Sequence, residues 1–414
     1  MHATKTKVLM AMEEASRCLL CYDAPCSQAC PAQTDPAKFI RSLRFRNLKG
    51  AMETIRTNNI LGGICARVCP TEKYCEGACS RTAVGKPIRI AFLQQFLTDQ
   101  EQEINFHVLH PQKPTQGKVA VIGSGPCGLA AAAELAQAGF TVTVFEAREK
   151  VGGWLTYGIP ADRLPQAVVD REIQYVRDLG VTFKTGCRVG KDTSIVDLRK
   201  QGYKAILVAV GLQKSRLPDI KGLELTGVYT ATDFLGLAKT APDQLHVGQR
   251  VVVVGGGDVA LDCAATAKNL GAADVKVVYR RTLEKMPASP QEKERLGALN
   301  IPIFTGFKPA EIVGAQGKVT RFRAAGMFDD ATLELPADTV VVAIGQEPEN
   351  LAAIGDFHLN GSAIVTDNYA TGLDGVFAAG DITEGDKTVA YAIKMGKEAA
   401  RAIEQYVLAK EGAK

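Results

Sequence analysis

Eight of the eleven cysteines in this 414-residue chain lie within its first 79 residues, in two groups. The groups read Cys18-x2-Cys21-x4-Cys26-x3-Cys30-Pro31 and Cys65-x3-Cys69-Pro70-x4-Cys75-x3-Cys79. Thiolates are soft, anionic ligands that suit iron–sulfur clusters and zinc. The N-terminus lacks an apolar signal core, so we expect a cytoplasmic chain. In that compartment, crowded cysteines ligate metals or clusters and do not pair as disulfides.

These thiolates could hold either of two kinds of metal centre, iron–sulfur clusters or zinc. Cysteine runs that each contain a Cys-Pro resemble two-cluster ferredoxins, in which the fourth cysteine of a run ligates the other cluster. Structural zinc sites favour paired C-x2-C spacings, and only Cys18 and Cys21 have that spacing. The spacing favours two 4Fe–4S clusters, with zinc as the alternative.

A glycine-rich turn predicts a first nucleotide site. Gly123, Gly125 and Gly128 form G-x-G-x-x-G between an apolar strand and an alanine-rich helix. The first glycine of such a turn allows a tight bend, the second lets a pyrophosphate approach, and the third lets helix and strand pack closely. The pyrophosphate would lie on free N–H groups at the helix N-terminus. Glu146, about 20 residues on, suits a ribose diol.

A second turn, G-x-G-x-x-A, contains Gly255, Gly257 and Asp258 and again joins an apolar strand to a helix. The following strand ends in Arg280 and Arg281 and not in an acid. An acid would repel a 2′-phosphate, whereas an arginine pairs with one. This pattern favours NADP over NAD. The alternative is that both arginines are solvated loop residues.

Residues shortly after Glu146 could extend the first site over a flat ring system. Gly153 would let the backbone lie against a ring, and we include Arg163, a few residues further on, in the same site. Trp154 is the only tryptophan. It is either a half-buried packing residue or a contact at the side of a flavin.

The last part of the chain carries a further candidate site. Gly380 and Asp381 close a short apolar strand before a final helix. Asp381 is placed to accept a hydrogen bond from a sugar-chain hydroxyl, and the helix N-terminus at Thr388 and Val389 could direct N–H dipoles at an electron-rich ring. The alternative is a plain β–α unit with a capping aspartate. The two nucleotide turns elsewhere in the chain make this alternative less favoured.

Composition sets the remaining limits. A chain of 414 residues predicts two to four domains. Its net charge of +4 is spread over the length, and no apolar run could span a bilayer. We therefore expect neither nucleic acid nor a membrane as a partner.

The stretch between the two cysteine groups predicts one helix that starts at Asp35-Pro36. Its apolar residues recur on roughly one face: Phe39, Ile40, Leu43, Leu48, Met52 and Ile55.

These motifs together make the chain similar to a known family. It resembles the small, flavin-containing subunits of bacterial dihydropyrimidine dehydrogenase and bacterial glutamate synthase, and the N-terminal half of the single-chain animal dihydropyrimidine dehydrogenase. The resemblance covers essentially the whole chain. It rests on Cys18-Leu-Leu-Cys21 through Pro31, Cys69-Pro-Thr-Glu72 through Cys79, Val121-Ile-Gly-Ser-Gly-Pro126, Gly158-Ile-Pro160, Arg163-Leu-Pro165, Gly255-Gly-Gly-Asp258 and Ala378-Ala-Gly-Asp381.

The resemblance implies a set of cofactors and ligands. FAD would occupy the first turn and the final segment, and a nicotinamide nucleotide, NADPH or NADH, the second turn. One 4Fe–4S cluster would be held by Cys18, Cys21, Cys26 and Cys79. The other would be held by Cys30, Cys69, Cys75 and Gln94. On sequence alone Cys65 is the obvious eighth ligand, so Gln94 is implied by the family only.

The implied fold is α/β, with two Rossmann-like nucleotide-binding domains of the disulfide-reductase-like flavoprotein type after an α-helical iron–sulfur domain. The expected boundaries are 1–114 for the two-cluster domain, 115–236 with 346–414 for a discontinuous FAD-binding domain, and 237–345 for the NAD(P)H-binding domain.

The implied function is electron entry. A nicotinamide gives up two electrons at once, whereas a cluster carries one. A flavin can accept the pair and release the electrons singly, so it must lie between the two. Hydride transfer needs no general base, and none of the five histidines lies in a convincing constellation, so no catalytic side chain is nominated. Because the chain ends before any FMN barrel, we expect a heteromer with an FMN-containing subunit that reduces uracil or thymine. The alternatives are a subunit serving glutamate synthase or another NADPH-dependent reductase, and a zinc-stapled nucleotide-binding module without redox turnover.

Overall fold

The computed structural model describes residues 2–412, which form two compact units. The first unit contains the described residues up to Leu155, Arg163–Gly211, and those from Asn350 onward. The second contains Thr156–Asp162 and Leu212–Glu349. Among the described residues, no helix is both long enough and apolar enough to cross a membrane.

The N-terminal part of the first unit, which we call the cluster part, is helical. Its helices are α1 (His2–Ser16), α2 (Pro25–Gln28), α3 (Pro36–Arg44), α4 (Leu48–Asn58), α5 (Gly62–Val68) and α6 (Ile90–Glu103), with a 3₁₀ turn at Ser80–Ala83. Side chains from α3, α4 and α6 form its apolar core, with these members fully buried: Phe39, Ile40, Leu43, Met52, Ile55 and Leu93.

The single helix expected after Asp35-Pro36 is wrong, because the structure has two helices there. Arg46 takes a left-handed backbone conformation with φ of 61° between α3 and α4. Asn47 then caps α4, since its Oδ1 accepts a hydrogen bond from the Gly50 N–H at 2.9 Å. The apolar pattern continued across this break and therefore concealed it.

A parallel sheet follows the cluster part and belongs to the first unit. Its first stretch contains β1 (Lys118–Ile122), α7 (Pro126–Gln137), β2 (Thr141–Phe145), α8 (Trp154–Tyr157), α9 (Gln166–Asp178), β3 (Thr182–Lys184), α10 (Ile195–Lys200) and β4 (Tyr203–Val208). Because β1 lies between β2 and β4, the turn after β1 is at a topological switch point, where parallel sheets bind ligands.

The second unit contains a second parallel sheet. Its elements are β5 (Lys214–Ser215), β6 (Val228–Thr230), α11 (Ala231–Thr240), β7 (Arg250–Val254), α12 (Asp258–Asn269), β8 (Asp274–Tyr279), α13 (Pro290–Ala298), β9 (Ile303–Thr305), β10 (Phe307–Ala315), β11 (Lys318–Gly326), β12 (Thr332–Pro336), β13 (Thr339–Val342) and β14 (Gln346–Glu347), with 3₁₀ turns at Pro242–Gln244 and Leu283–Lys285. The strands order as β6-β13-β7-β8-β9, beside an antiparallel β10-β11-β12 sheet.

The second unit begins earlier than the expected boundary of residue 237. Apart from Thr156–Asp162, it starts at Leu212, because β6 pairs in parallel with β13 of the second sheet and α11 follows directly from β6. Pairing over such a sequence distance leaves no local signal at residue 212.

The chain then returns to the first unit. The elements there are α14 (Leu351–Ile354), β15 (Leu359–Asn360), β16 (Ala363–Ile364), β17 (Val376–Ala378) and α15 (Val389–Gly412). Strand β17 pairs with β4, which completes the parallel order β17-β4-β1-β2-β3. The expected final strand and helix therefore join the sheet that carries the first nucleotide turn.

Candidate cofactor sites

The first glycine turn has the steric form that a dinucleotide requires. A Cβ on Gly123, which has φ of 105°, would lie 2.4 Å from the Ala209 carbonyl oxygen. A Cβ on Gly128 would lie 2.0 Å from the Gly123 carbonyl oxygen, whereas one on Gly125 would meet nothing within 4 Å. Gly123 and Gly128 are thus required by packing, and Gly125 leaves an open face for a pyrophosphate.

Glu146 lies at the end of β2 beside this turn and is buried. Its Oε2 accepts hydrogen bonds from the Ser124 N–H at 3.1 Å and from the Ser124 hydroxyl, and its Oε1 accepts from the Arg148 N–H at 2.9 Å. The Ser124 Oγ also accepts from the Gly152 N–H at 3.0 Å. Ser124 therefore fixes the acid to the turn. Sequence reasoning missed it, because the residue between the first two glycines is unrestricted in the motif.

Gly153 closes over the same turn. A Cβ at Gly153, which has φ of 53°, would lie 3.0 Å from the Gly125 Cα. Trp154 opens α8 and is half-buried, and Arg163 is also half-buried. The structure therefore brings Gly153 to the turn, while flavin contacts by Trp154 and Arg163 stay predictions.

The end of β17 meets the first turn as well. A Cβ on Gly380, with φ of 82°, would lie 2.9 Å from the Cys127 Cβ in the first turn of α7. Asp381 follows, and burial raises the pKa of its carboxyl, against the opposing charge of Lys387. Within residues 2–412 no donor reaches this carboxylate, so a hydroxyl of a bound FAD fits there. Thr388 caps α15, since its Oγ1 accepts from the Tyr391 N–H at 3.3 Å.

Val389 is the first residue of α15. That the N–H dipoles at this helix N-terminus face a bound ring stays a prediction.

Four cysteines of the expected first cluster surround one pocket. Cys18, Cys21, Cys26 and Cys79 line it together with mostly apolar residues, and the pocket is partly open to solvent. Burial, together with the neighbouring Cys79 and Cys18 thiolates, raises the pKa of Cys26 to about 11. Such thiolates are stabilised by a bound cationic centre. Among the described residues, no three His, Cys, Asp or Glu side chains converge as ligands of a metal ion do; these cysteines stand around a pocket instead.

The remaining clustered cysteines form a second set. Burial and then the charges of Cys65, Cys75 and Cys30 raise the pKa of Cys69. Burial and the charge of Cys30 likewise raise the pKa of Cys75. The Cys30 sulfur accepts from the Thr34 N–H at 3.4 Å. The three expected cysteine ligands of the second cluster are thus within electrostatic range of one another.

One candidate for the eighth ligand, Cys65, lies in α5, and the other, Gln94, contacts the start of that helix. Cys65 is buried in α5, where burial raises the pKa of its thiol to about 12 despite a hydrogen bond from the Asn59 side chain. Gln94 is buried on α6, and its Nε2 donates to the Gly62 carbonyl at 2.7 Å. No donor in the described part of the chain binds its Oε1, which leaves that oxygen free to act as a ligand.

The second glycine turn repeats the form of the first. A Cβ on Gly255 would lie 2.3 Å from the Ala343 carbonyl oxygen, and one on Gly257 would meet nothing within 4 Å. Asp258 is exposed at the start of α12, and its Oδ1 accepts from the Ser289 N–H at 2.8 Å. This turn therefore fits a second pyrophosphate.

Arg280 and Arg281 follow the last residue of β8 and are both exposed. Among the described residues neither guanidinium forms an ion pair. Two unpaired arginines at a strand end beside a nucleotide turn suit a 2′-phosphate, so the predicted preference for NADP stands as a prediction.

Comparison with known proteins agrees with this arrangement. Residues 117–396 match the pyridine nucleotide-disulphide oxidoreductase family, and residues 2–106 match the family described as dihydropyrimidine dehydrogenase domain II, 4Fe-4S cluster. The fold is similar to that of thioredoxin reductase from T. acidophilum, with 22% identity over 70% of this chain and 99% of that chain and a TM-score of 0.57. It is also similar to the oxidoreductase FprA from Mycobacterium tuberculosis, with 21% identity over 72% of this chain and 86% of that chain and a TM-score of 0.61.

Relatives with higher identity cover nearly the whole chain. The NAD-dependent dihydropyrimidine dehydrogenase subunit PreT of Escherichia coli K12 is 47% identical over 96% of this chain and 95% of its own length. The small chain of NADPH glutamate synthase from Azospirillum brasilense is 32% identical over 97% of this chain and 90% of its own length. The chain therefore belongs to the pyridine nucleotide-disulphide oxidoreductases and, within them, to the family of dihydropyrimidine dehydrogenase subunit PreT. This confirms the expected fold class, an oxidoreductase activity, and FAD, a nicotinamide nucleotide and 4Fe–4S clusters as cofactors.

Proposed function

We propose that the chain is the electron-entry subunit of a two-subunit dihydropyrimidine dehydrogenase. It oxidises NAD(P)H with FAD and passes electrons through 4Fe–4S clusters to an FMN-containing partner, which reduces uracil or thymine. One observation carries the proposal. Two nucleotide turns and two sets of cysteines occur in a chain that is 47–48% identical, over 96% of its length, to proteins named as subunits of that enzyme.

Each part of the chain has a role in this proposal. When bound, the nicotinamide and FAD exchange an electron pair, which the clusters carry onward as single electrons. The open face at Gly125 binds the FAD pyrophosphate, Glu146 the ribose, and Asp381 the sugar chain. In the second unit the open face at Gly257 binds the nicotinamide nucleotide. No side chain has to transfer a proton for hydride transfer.

The residues of this chain and the names of its relatives support different donor nucleotides. Unpaired Arg280 and Arg281 support NADPH, whereas the relatives named PreT are described as NAD-dependent. We retain NADPH as the prediction from the residues.

The glutamate synthase relatives support a second candidate, a subunit that delivers electrons to that enzyme. Their identity is lower, 31–32%, so this candidate ranks second.

The test compares acceptors. The purified chain with NAD(P)H should reduce artificial dyes but not uracil, and addition of an FMN-containing pyrimidine-reducing subunit should make NAD(P)H oxidation depend on uracil. Stripping iron with a chelator should abolish uracil reduction and leave some dye reduction by the flavin. Coupling to the large subunit of glutamate synthase instead would favour the second candidate, and uracil reduction by this chain alone would refute the assignment of roles.

A further inference from the structure

Lys397 is a buried lysine that the proposed electron route does not use. It lies on α15, and only 5% of its surface is exposed. Its ammonium group donates hydrogen bonds to the Ala32 carbonyl at 3.2 Å and to the Asn58 carbonyl. Ala32 lies two residues after Cys30, and Asn58 is the last residue of α4. Lys397 therefore reaches from α15 into the cluster part, to a carbonyl two residues from Cys30, an expected ligand of the second cluster.

Helix α15 is held firmly in this position. A Cβ on Gly396, the residue before Lys397, would lie 2.3 Å from the Cys127 carbonyl oxygen of α7. The absence of a side chain at Gly396 thus allows α15 to contact the helix that follows the first nucleotide turn. The charge on Lys397 is consequently fixed relative to the proposed FAD site.

A charge is not needed to satisfy the two carbonyl groups. Any neutral N–H donor of suitable length could bind them, and burial disfavours an ammonium ion. Among the described residues, no carboxylate oxygen lies within 4 Å of this ammonium. The charged groups acting on it are Glu134, Arg401, Cys30 and Glu398, and the carbonyls at the C-terminus of α4 add a favourable dipole.

We propose that Lys397 supplies the positive charge that raises the reduction potential of the cluster held by Cys30, Cys69 and Cys75. The inference rests on the proposed function, since it takes that cluster as present. Reduction adds one electron, and with it one negative charge, to the cluster and its ligands. A fixed cation nearby stabilises the reduced form more than the oxidised form. Burial limits the screening of this interaction by salt.

The experiment is a redox titration of the purified holoprotein, followed by electron paramagnetic resonance. The signal of the second cluster is the one lost in Cys75→Ala and retained in Cys18→Ala. In Lys397→Met the equilibrium constant for reducing this cluster should fall about three- to tenfold, where tenfold corresponds to about 59 mV for one electron. The midpoint potential of the first cluster should stay unchanged.

Two matched variants separate charge from packing. Lys397→Arg keeps the charge and should keep the potential near that of the unaltered protein. Arg401→Gln removes a charge one turn further along α15, where the side chain is exposed, and should leave the potential unchanged. Lys397→Gln, which keeps a donor for the carbonyls, serves if Lys397→Met loses iron.

An unchanged potential in a neutral Lys397 variant with full iron content would overturn the inference. Loss of the second cluster in both Lys397→Met and Lys397→Gln, but not in Lys397→Arg, would also overturn the inference. Lys397 would then serve only to retain the cluster. If the unaltered protein, prepared with iron and sulfide, contains neither iron nor acid-labile sulfide, the proposed function fails instead, which distinguishes the two.

Discussion

The hydroxyl of Tyr74 lies 3.0 Å from the Oγ1 of Thr388 and donates to the Oδ2 of Asp386 at 3.1 Å. Tyr74 directly precedes Cys75 of the second cysteine group, and Thr388 directly precedes α15. This contact therefore joins the protein segment that would hold the second cluster to the helix start that we assign to the flavin. Tyr74 is buried at 8% exposure, and its hydroxyl forms part-buried hydrogen bonds with both partners.

Tyr74→Phe should lower the free energy of unfolding by about 1 kcal/mol, because it removes a part-buried hydrogen-bonding hydroxyl without changing the ring. The measurement is urea unfolding of the holoprotein. Tyr22→Phe is the control, since Tyr22 is 97% exposed and should give no change. Equal midpoints for Tyr74→Phe and the unaltered protein would contradict the prediction.

Glu172→Gln should be strongly destabilising. The Arg56 guanidinium on α4 pairs at 2.7 Å with both Glu172 on α9 and Glu101 on α6, and all three are buried. Neutralising one partner of a buried ion pair costs about 3–5 kcal/mol. Denaturant unfolding should show this loss, whereas Glu334→Gln, in an exposed pair, should change stability by about 1 kcal/mol or less. Similar small effects for both variants would argue against the buried network.

Glu146→Ala should weaken FAD retention by roughly 1.5–3 kcal/mol, through loss of a charge-assisted ribose contact. The measurement is the dissociation constant for FAD after reversible removal. Ser124→Ala removes the hydroxyl that holds Glu146 to the turn, and so tests whether FAD is lost because the turn loosens. Glu149→Ala, at an exposed position, is the control and should have no effect. If Ser124→Ala loses FAD as severely as Glu146→Ala, the acid acts by holding the turn and not by binding ribose.

Iron and acid-labile sulfide should each approach about eight per chain, if two 4Fe–4S clusters are present. Cys18→Ala and Cys75→Ala should each lose about one cluster, Gln94→Ala should lose the second cluster, and Cys65→Ala should keep both. The reverse result for Cys65 and Gln94 would show that Cys65 is the eighth ligand.

The nucleotide preference tests Arg280 and Arg281. We expect a higher kcat/KM for NADPH than for NADH with an artificial acceptor. Arg281→Ala should lower the value for NADPH more than that for NADH, because an arginine binds a 2′-phosphate in a geometry that few other side chains reproduce. A preference for NADH in the unaltered protein would refute the prediction and agree with the names of the PreT relatives.

Local motifs were readable from the sequence because their physical demands are local. Gly123 takes a φ of 105° that favours glycine, a Cβ on Gly128 would meet the Gly123 carbonyl oxygen only five residues earlier, and the cysteine spacing reflects a chemical preference for soft ligands. The strand, turn and helix around each nucleotide site therefore followed directly, as did the grouping of the four cysteines predicted to hold the first cluster around one pocket, once the family was recognised.

Other features depend on residues far apart in the chain. The break at Arg46 interrupts a face whose apolar periodicity continues, and the main stretch of the second unit starts at Leu212 because β6 pairs with a strand more than a hundred residues later. The contacts of Lys397 with Ala32 and of Tyr74 with Thr388 each join segments more than 300 residues apart. No sequence spacing predicts hydrogen bonds of this kind, because only the packing of α15 against the cluster part brings the partners together.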